Sequence, residues 1–199
     1  MKMLPARLLL VALSFAAFAS AQSLEVAVTG GVMKMQNPNL GTLVDTASSS
    51  AYKLDNGWQI GFRGTLNSWR YLGQEFGYSY NRTQLINLTA NQMAGMAVHQ
   101  GLFNMLAYAT KDGSRVRPFV AGGGHFNSYA PPGTSVTSGG ASTKVGFNYG
   151  GGIKFRLNAM FTMRMDFHQF QNGKPFGFLQ NRSGLLKVNE VTIGFGIII

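Results

Sequence analysis

Lys144-Val145-Gly146-Phe147-Asn148-Tyr149-Gly150-Gly151-Gly152-Ile153-Lys154-Phe155 alternates with a period of two. Val145, Phe147, Tyr149, Ile153 and Phe155 share one parity; Lys144, Gly146, Asn148, Gly150, Gly152 and Lys154 share the other. Successive side chains of a strand point to opposite faces, so this stretch has one apolar face and one small, polar face. A helix would mix the two sets around its circumference.

The same signature recurs on both sides. Phe161, Met163, Met165 and Phe167 alternate with Thr162, Arg164, Asp166 and His168. Val191, Ile193, Phe195, Ile197 and Ile199 alternate with Glu190, Thr192, Gly194, Gly196 and Ile198. Upstream, Leu24, Val26, Val28 and Val32 share a parity, as do Trp58, Ile60, Phe62 and Leu66. Leu72, Phe76, Tyr78 and Tyr80 stand opposite Gly73, Glu75, Gly77 and Ser79, and Val116, Pro118 and Val120 opposite Arg117, Phe119 and Ala121. The stretch 93–109 is apolar at both parities, and its register stays open. Eight strands are expected.

Their connections alternate in length. Asn67–Arg70, Thr110–Ser114 and Arg156–Ala159 are short; 35–56, 81–92, 127–142 and 171–187 are long, polar and rich in turn residues. Long loops at one end and short turns at the other, with both chain ends on the short-turn side, are the layout of an up-and-down transmembrane barrel.

The N-terminus sets the compartment. Lys2 and Arg7 precede an apolar run from Leu8 to Phe18, and Ala19-Ser20-Ala21 has the small-x-small form of a signal cleavage site. Residues 1–21 are therefore expected to be a signal peptide and residues 22–199 the barrel domain. There is no cysteine, which excludes disulfides, thiol catalysis and cysteine-ligated metal. After residue 21 no stretch is long and apolar enough for a transmembrane helix. A membrane crossing must then use strands that close on themselves, since hydrocarbon leaves no backbone group unpaired.

Alternation alone does not say which face is inside; a soluble barrel alternates too. Three features favour apolar-out. Charged residues are only 12% of the chain and glycine is 26 of 199, so the polar parity is small and sparse, as a narrow lumen requires. Both signs occur on it: Arg63, Arg117, Lys144, Lys154 and Arg164 against Glu75, Asp166 and Glu190, with His168 beside them. Buried charges of both signs can pair. Finally, Trp58, Tyr80 and Phe147 fall near the long-loop ends, and Trp69, Tyr71, Tyr108 and Phe155 near the short turns, like two interfacial belts. Lysine at Val145, Phe147 and Tyr149 is expected to block assembly if they face lipid.

The Ala19-Ser20-Ala21 leader end, the Tyr71-Leu72-Gly73-Gln74-Glu75-Phe76-Gly77-Tyr78-Ser79-Tyr80-Asn81-Arg82 strand, the Arg115-Val116-Arg117-Pro118-Phe119-Val120-Ala121-Gly122-Gly123-Gly124 stretch and the alternating last strand carry a resemblance. The chain resembles the small eight-stranded outer-membrane β-barrel family related to the transmembrane domain of the major outer-membrane protein A. The likeness is one of layout and extends over residues 22–199. It implies an all-β, eight-stranded antiparallel barrel in the cell outer membrane, with both mature termini periplasmic. It also implies outer-membrane assembly machinery and periplasmic chaperones as partners. The family's last strand normally ends in an aromatic residue; here Ile199 stands there, with Phe195 on the same parity.

No catalytic constellation is legible. His99, His125 and His168 lie on three different segments without metal-ligand spacing. Neither His168-Gln169-Phe170 nor His125-Phe126-Asn127-Ser128 supplies the His-x-Ser pair of a barrel-type lipid deacylase. Gly122–Gly124 and Gly150–Gly152 open no helix, so they read as close strand approaches and not phosphate loops. No cofactor and no catalytic activity are expected. Arg63, Glu75, Arg117, Lys144, Lys154, Arg164, Asp166, His168 and Glu190 are assigned to a structural lumen network. The net charge is +10, and Lys53, Arg82, Lys174, Arg182 and Lys187 lie in or beside long loops. They are candidate contacts for outer-membrane lipid, lipopolysaccharide phosphates in particular. Export and the lack of a recognition motif argue against nucleic acid. A structural or surface-interaction role is the expectation, with a small pore and a lipid-modifying enzyme as the other classes.

Overall fold

The computed structural model describes residues 23–44, 49–135, 140–181 and 183–199. The expected signal peptide, 1–21, lies outside them. Ten strands follow in order: β1 Ser23–Met35, β2 Asn39–Val44, β3 Ser49–Leu54, β4 Gly57–Trp69, β5 Leu72–Asn87, β6 Gln92–Tyr108, β7 Val116–Ala130, β8 Ser142–Arg156, β9 Phe161–Asn172 and β10 Leu186–Ile198.

Eight of them form a closed antiparallel ring. Its order is β1, β4, β5, β6, β7, β8, β9, β10 and back to β1. The seam is made by the first and last strands, and the Ile199 N–H donates to the Leu24 carbonyl oxygen at 2.8 Å. Closure leaves the ring no free edge, which the hydrocarbon layer demands.

The register fixes the tilt. From Lys34 the cross-strand partners run Asn189, Gln169, Tyr149, Gly122, Met105, Gln74, Leu66 and then Leu24. One circuit therefore ends ten residues lower on the strand where it began, from position 34 to position 24. A row of paired residues is thus a descending spiral, as in any barrel with strands inclined by roughly 35–45°.

Side-chain exposure decides the inside-outside question. Val145, Val32 and Phe195 are 77%, 62% and 61% exposed, whereas Glu75 and Arg164 are 0% and 1% exposed. The apolar parity is the outer wall and the polar parity the lumen. In water this arrangement would expose the apolar face and bury charge; in a bilayer both faces are satisfied.

Two expectations need correction. The stretches 35–56 and 81–92 are not plain loops. Residues 39–44 and 49–54 form the hairpin β2–β3, and β5 and β6 continue to Asn87 and Gln92 before turning. Tyr52, Lys53 and Leu54 of β3 pair with Asn87, Ile86 and Leu85 of β5, so two extra strands extend the wall above the ring. Thr42, Val44, Tyr52, Thr83 and Ile86 are strand-favouring residues, and the polar residues between them masked that signal. Tyr108 is not a belt residue. It points inward, and the Arg117 guanidinium carbon lies 3.7 Å from its ring centroid.

The glycines permit close strand approach. At Gly150 a Cβ would fall 2.1 Å from the Phe167 carbonyl oxygen and 2.9 Å from the His168 ring. On the outer wall, the Phe126 ring lies over Gly101, 2.3 Å from where its Cβ would be.

Candidate functional site

The lumen is filled in tiers. At the short-turn end Arg117 NH1 donates to Asp112 Oδ1 at 2.8 Å, and Ser23 Oγ donates to Asp112 Oδ2 at 3.1 Å. Above it, Lys154 Nζ lies 3.0 Å from Glu25 Oε2 and 3.1 Å from Thr65 Oγ1, while Thr162 Oγ1 donates to Glu25 Oε1. The third tier centres on Glu75. Its Oε1 accepts from Arg63 NH1 at 2.9 Å; its Oε2 accepts from Arg164 NH1 at 2.6 Å and from Thr65 Oγ1 at 3.2 Å. Arg164 Nε also donates to Asp166 Oδ2 at 2.7 Å. Each of these charges lies within an ion pair, and Glu25, Glu75, Lys154 and Arg164 make two or more hydrogen bonds, the condition under which buried charge is tolerated.

Glu190 and His168 occupy the next tier as cross-strand partners. His168 Nδ1 is 3.3 Å from Asn148 Oδ1, and its ring stacks on Phe170. Higher still, Asn127, Tyr129 and Asn172 hydrogen-bond one another, with Asn172 also 3.3 Å from His125 Nε2. An apolar cap then closes the outer end. Met33, Met35, Met96, Val98, Phe170, Leu186 and Val188 from the strands pack with Leu40, Leu54, Phe176 and Leu179 from the outer segments. Below the cap, a cavity of about 10 Å³ lies among Asn81, Gln100, Asn127, Tyr129 and Glu190. That is about the space of one water.

The structure thus brings Arg63, Glu75, Arg117, Lys154, Arg164, Asp166, His168 and Glu190 into one lumen. Lys144 stands apart, half-buried near the outer end of β8, opposite Asn127. The partners that the sequence reading missed are Glu25 and Asp112. Glu25 had a signal: it lies on the parity opposite Leu24 and Val26. Asp112 sits in a short turn, where parity carries no information.

The outer cations differ among themselves. Lys53 is half-buried on β3. Arg82 faces outward on β5, with NH1 3.4 Å from the Tyr80 hydroxyl. Lys187 faces outward on β10. Lys174 departs from the expectation of a lipid contact: it is buried, and its Nζ donates to the Asn39 carbonyl, tying the last outer segment to β2. Arg182 lies outside the described residues. Among the described residues no cluster of three or more His, Asp or Glu could hold a metal. His99 lies on the outer wall, with Nδ1 2.6 Å from the Tyr78 hydroxyl.

A closed ring with an ion-paired lumen and an apolar outer wall defines a small transmembrane β-barrel. The family described as outer membrane protein beta-barrel domain matches residues 7–198, and the chain belongs to it. Among solved structures, the outer membrane protein OprG from Pseudomonas aeruginosa superposes with a TM-score of 0.65 at 14% identity, covering 90% of this chain and 97% of that one. Neisserial surface protein A gives 0.57 at 13% identity, over 87% and 96% of the two chains. The outer membrane protein AlkL, solved in lipid bilayers, gives 0.55 at 12% identity, over 89% and 90%. At such identities these likenesses establish the fold alone. No curated protein sequence matches the chain. The barrel resides in the outer membrane, with the ends of β1 and β10 on the short-turn, periplasmic side.

Proposed function

We propose that this protein is a plugged, non-catalytic barrel with a structural or surface-interaction role. In this reading its extended outer ends meet outer-leaflet lipid and surface partners. The observation that carries it is the lumen itself: Glu75 joins Arg63 and Arg164 across the middle of the barrel, beneath the apolar cap. Opening a path through that plug would have to separate Glu75 from Arg63 and Arg164, and leaving a buried charge unpaired costs about 3–5 kcal/mol. A steady ion path is therefore disfavoured. The barrel would reach its membrane through periplasmic chaperones and the outer-membrane assembly machinery, as its class requires. Conductance across a planar bilayer tests the reading. A plugged barrel gives no defined unitary current; steady open channels would contradict it. Incubation with intact lipopolysaccharide, followed by mass spectrometry, checks the absence of acyl-chain chemistry.

A further inference from the structure

The outer wall is apolar over most of its height, and besides Arg82 and the Tyr78–His99 pair on β5 and β6 it carries a polar row across β1, β10, β9 and β8. There Lys34, Asn189, Gln169 and Tyr149 form a single row of outward side chains, each the cross-strand partner of the next. Gln171 lies above Gln169 on β9, and Lys187 is its partner on β10. Both lysines are exposed and sit diagonally across the β1–β10 junction, since the Gln36 N–H donates to the Lys187 carbonyl. Neither makes a salt bridge among the described residues. None of the four strands presents an outward acidic side chain.

The polar groups below the lysines are organised. Gln169 Nε2 donates to Asn189 Oδ1 at 2.9 Å, Gln171 Nε2 donates to Gln169 Oε1 at 2.9 Å, and the Tyr149 hydroxyl donates to Gln169 Oε1. The row descends as it leaves β1, as the ten-residue offset requires, so Tyr149 lies deepest. Amides on a lipid-facing wall carry a desolvation cost. Here they form a ladder, with unneutralised cations at the rim and amide and phenol groups toward the hydrocarbon.

We propose that this ladder is a binding site for one phosphorylated glycolipid of the outer leaflet. Lys34 and Lys187 would hold its phosphate, and Asn189, Gln169 and Gln171 would meet the ester and amide groups that link its acyl chains. The vertical order matches: charge outermost, hydrogen-bonding linkages beneath, apolar wall below. The site rests on the reading that the outer ends contact lipid, but not on the lumen being plugged.

Native mass spectrometry of the detergent-solubilised barrel tests it, using purified diphosphorylated lipid A, the same lipid dephosphorylated, and inorganic phosphate. The wild type should retain one diphosphorylated lipid A and prefer it to the dephosphorylated form. Lys34→Gln combined with Lys187→Gln should weaken retention about thirtyfold, from about fivefold per cation at a membrane surface. Lys34→Arg with Lys187→Arg should restore it, and Lys111→Gln at the short-turn end should leave it unchanged. The heat-modifiable gel shift confirms that each variant folds. Equal retention by the glutamine variant, no preference for the phosphorylated lipid, or complete displacement by inorganic phosphate at the lipid's own concentration would overturn the site. A conducting barrel that still selects lipid A would remove the plug and keep the site; a silent barrel without selection would do the reverse.

Discussion

Arg164 NH1 lies 2.6 Å from Glu75 Oε2, although β9 and β5 stand four places apart in the eight-membered ring. The ion pair therefore spans the barrel's diameter and joins opposite walls that share no backbone hydrogen bond. Glu75 also holds Arg63 from the neighbouring strand β4, so one carboxylate fixes three strands. Hydrogen bonds between adjacent strands set the barrel's circumference; this contact sets what fills it.

Glu75→Gln should be the most destabilising lumen substitution. It leaves Arg63 with no carboxylate partner and Arg164 with Asp166 alone in a buried site, at a cost of about 3–5 kcal/mol. Glu75→Gln combined with Arg164→Met should cost less than the two single changes together, because they share one contact. Urea unfolding in lipid vesicles, followed by the heat-modifiable shift, measures both.

Glu190→Gln should behave differently. Glu190 is as buried as Arg164 but makes no salt bridge among the described residues. Replacing its carboxyl with an amide strands no cation, and the change in stability should stay within about 1 kcal/mol. The same unfolding measurement checks it.

Ile193→Lys should cost about 2–4 kcal/mol, the penalty for lysine at the bilayer midplane. Ile193 faces outward midway along β10. Val145→Lys should cost only about 0–1 kcal/mol, because Val145 stands four residues above Tyr149 on β8, at about the height of Lys34 on the inclined register. Of Val145, Phe147 and Tyr149, the deepest is Tyr149, so lysine there should hinder assembly most. Folding yields into vesicles rank these variants.

Leu54→Ala should loosen the cap and leave the ring intact. Leu54 is fully buried among the outer segments and pairs with Leu85. A Leu-to-Ala cavity costs about 2–5 kcal/mol, and here that loss falls on β2–β3. Limited proteolysis should nick residues 39–54 faster, while the heat-modifiable shift of the ring persists.

Much of the ring was legible in the sequence. Period-two runs such as Phe161–His168 and Glu190–Ile199 bear directly on strands with two unlike environments. The direction of the faces was legible too, because glycine and sparse charge suit a lumen better than water. Three things were not. Pairings such as Arg164 with Glu75 depend on which strands oppose each other, and strand parity is silent on that. The β2–β3 hairpin lies above the membrane, where hydration relaxes the composition rules that mark the ring. Lys34, Gln169, Gln171 and Asn189 went unnoticed because the tilt, which links four distant segments into one ladder, emerges only after closure.

The inward turn of the polar face is directly measurable, because the chain has no cysteine. Single-cysteine variants at positions 190 to 195, spin-labelled in lipid vesicles, report access to oxygen dissolved in the bilayer. Labels at Val191, Ile193 and Phe195 should be strongly relaxed by oxygen, and labels at Glu190, Thr192 and Gly194 weakly. The opposite phase, or no alternation, would contradict the barrel described here.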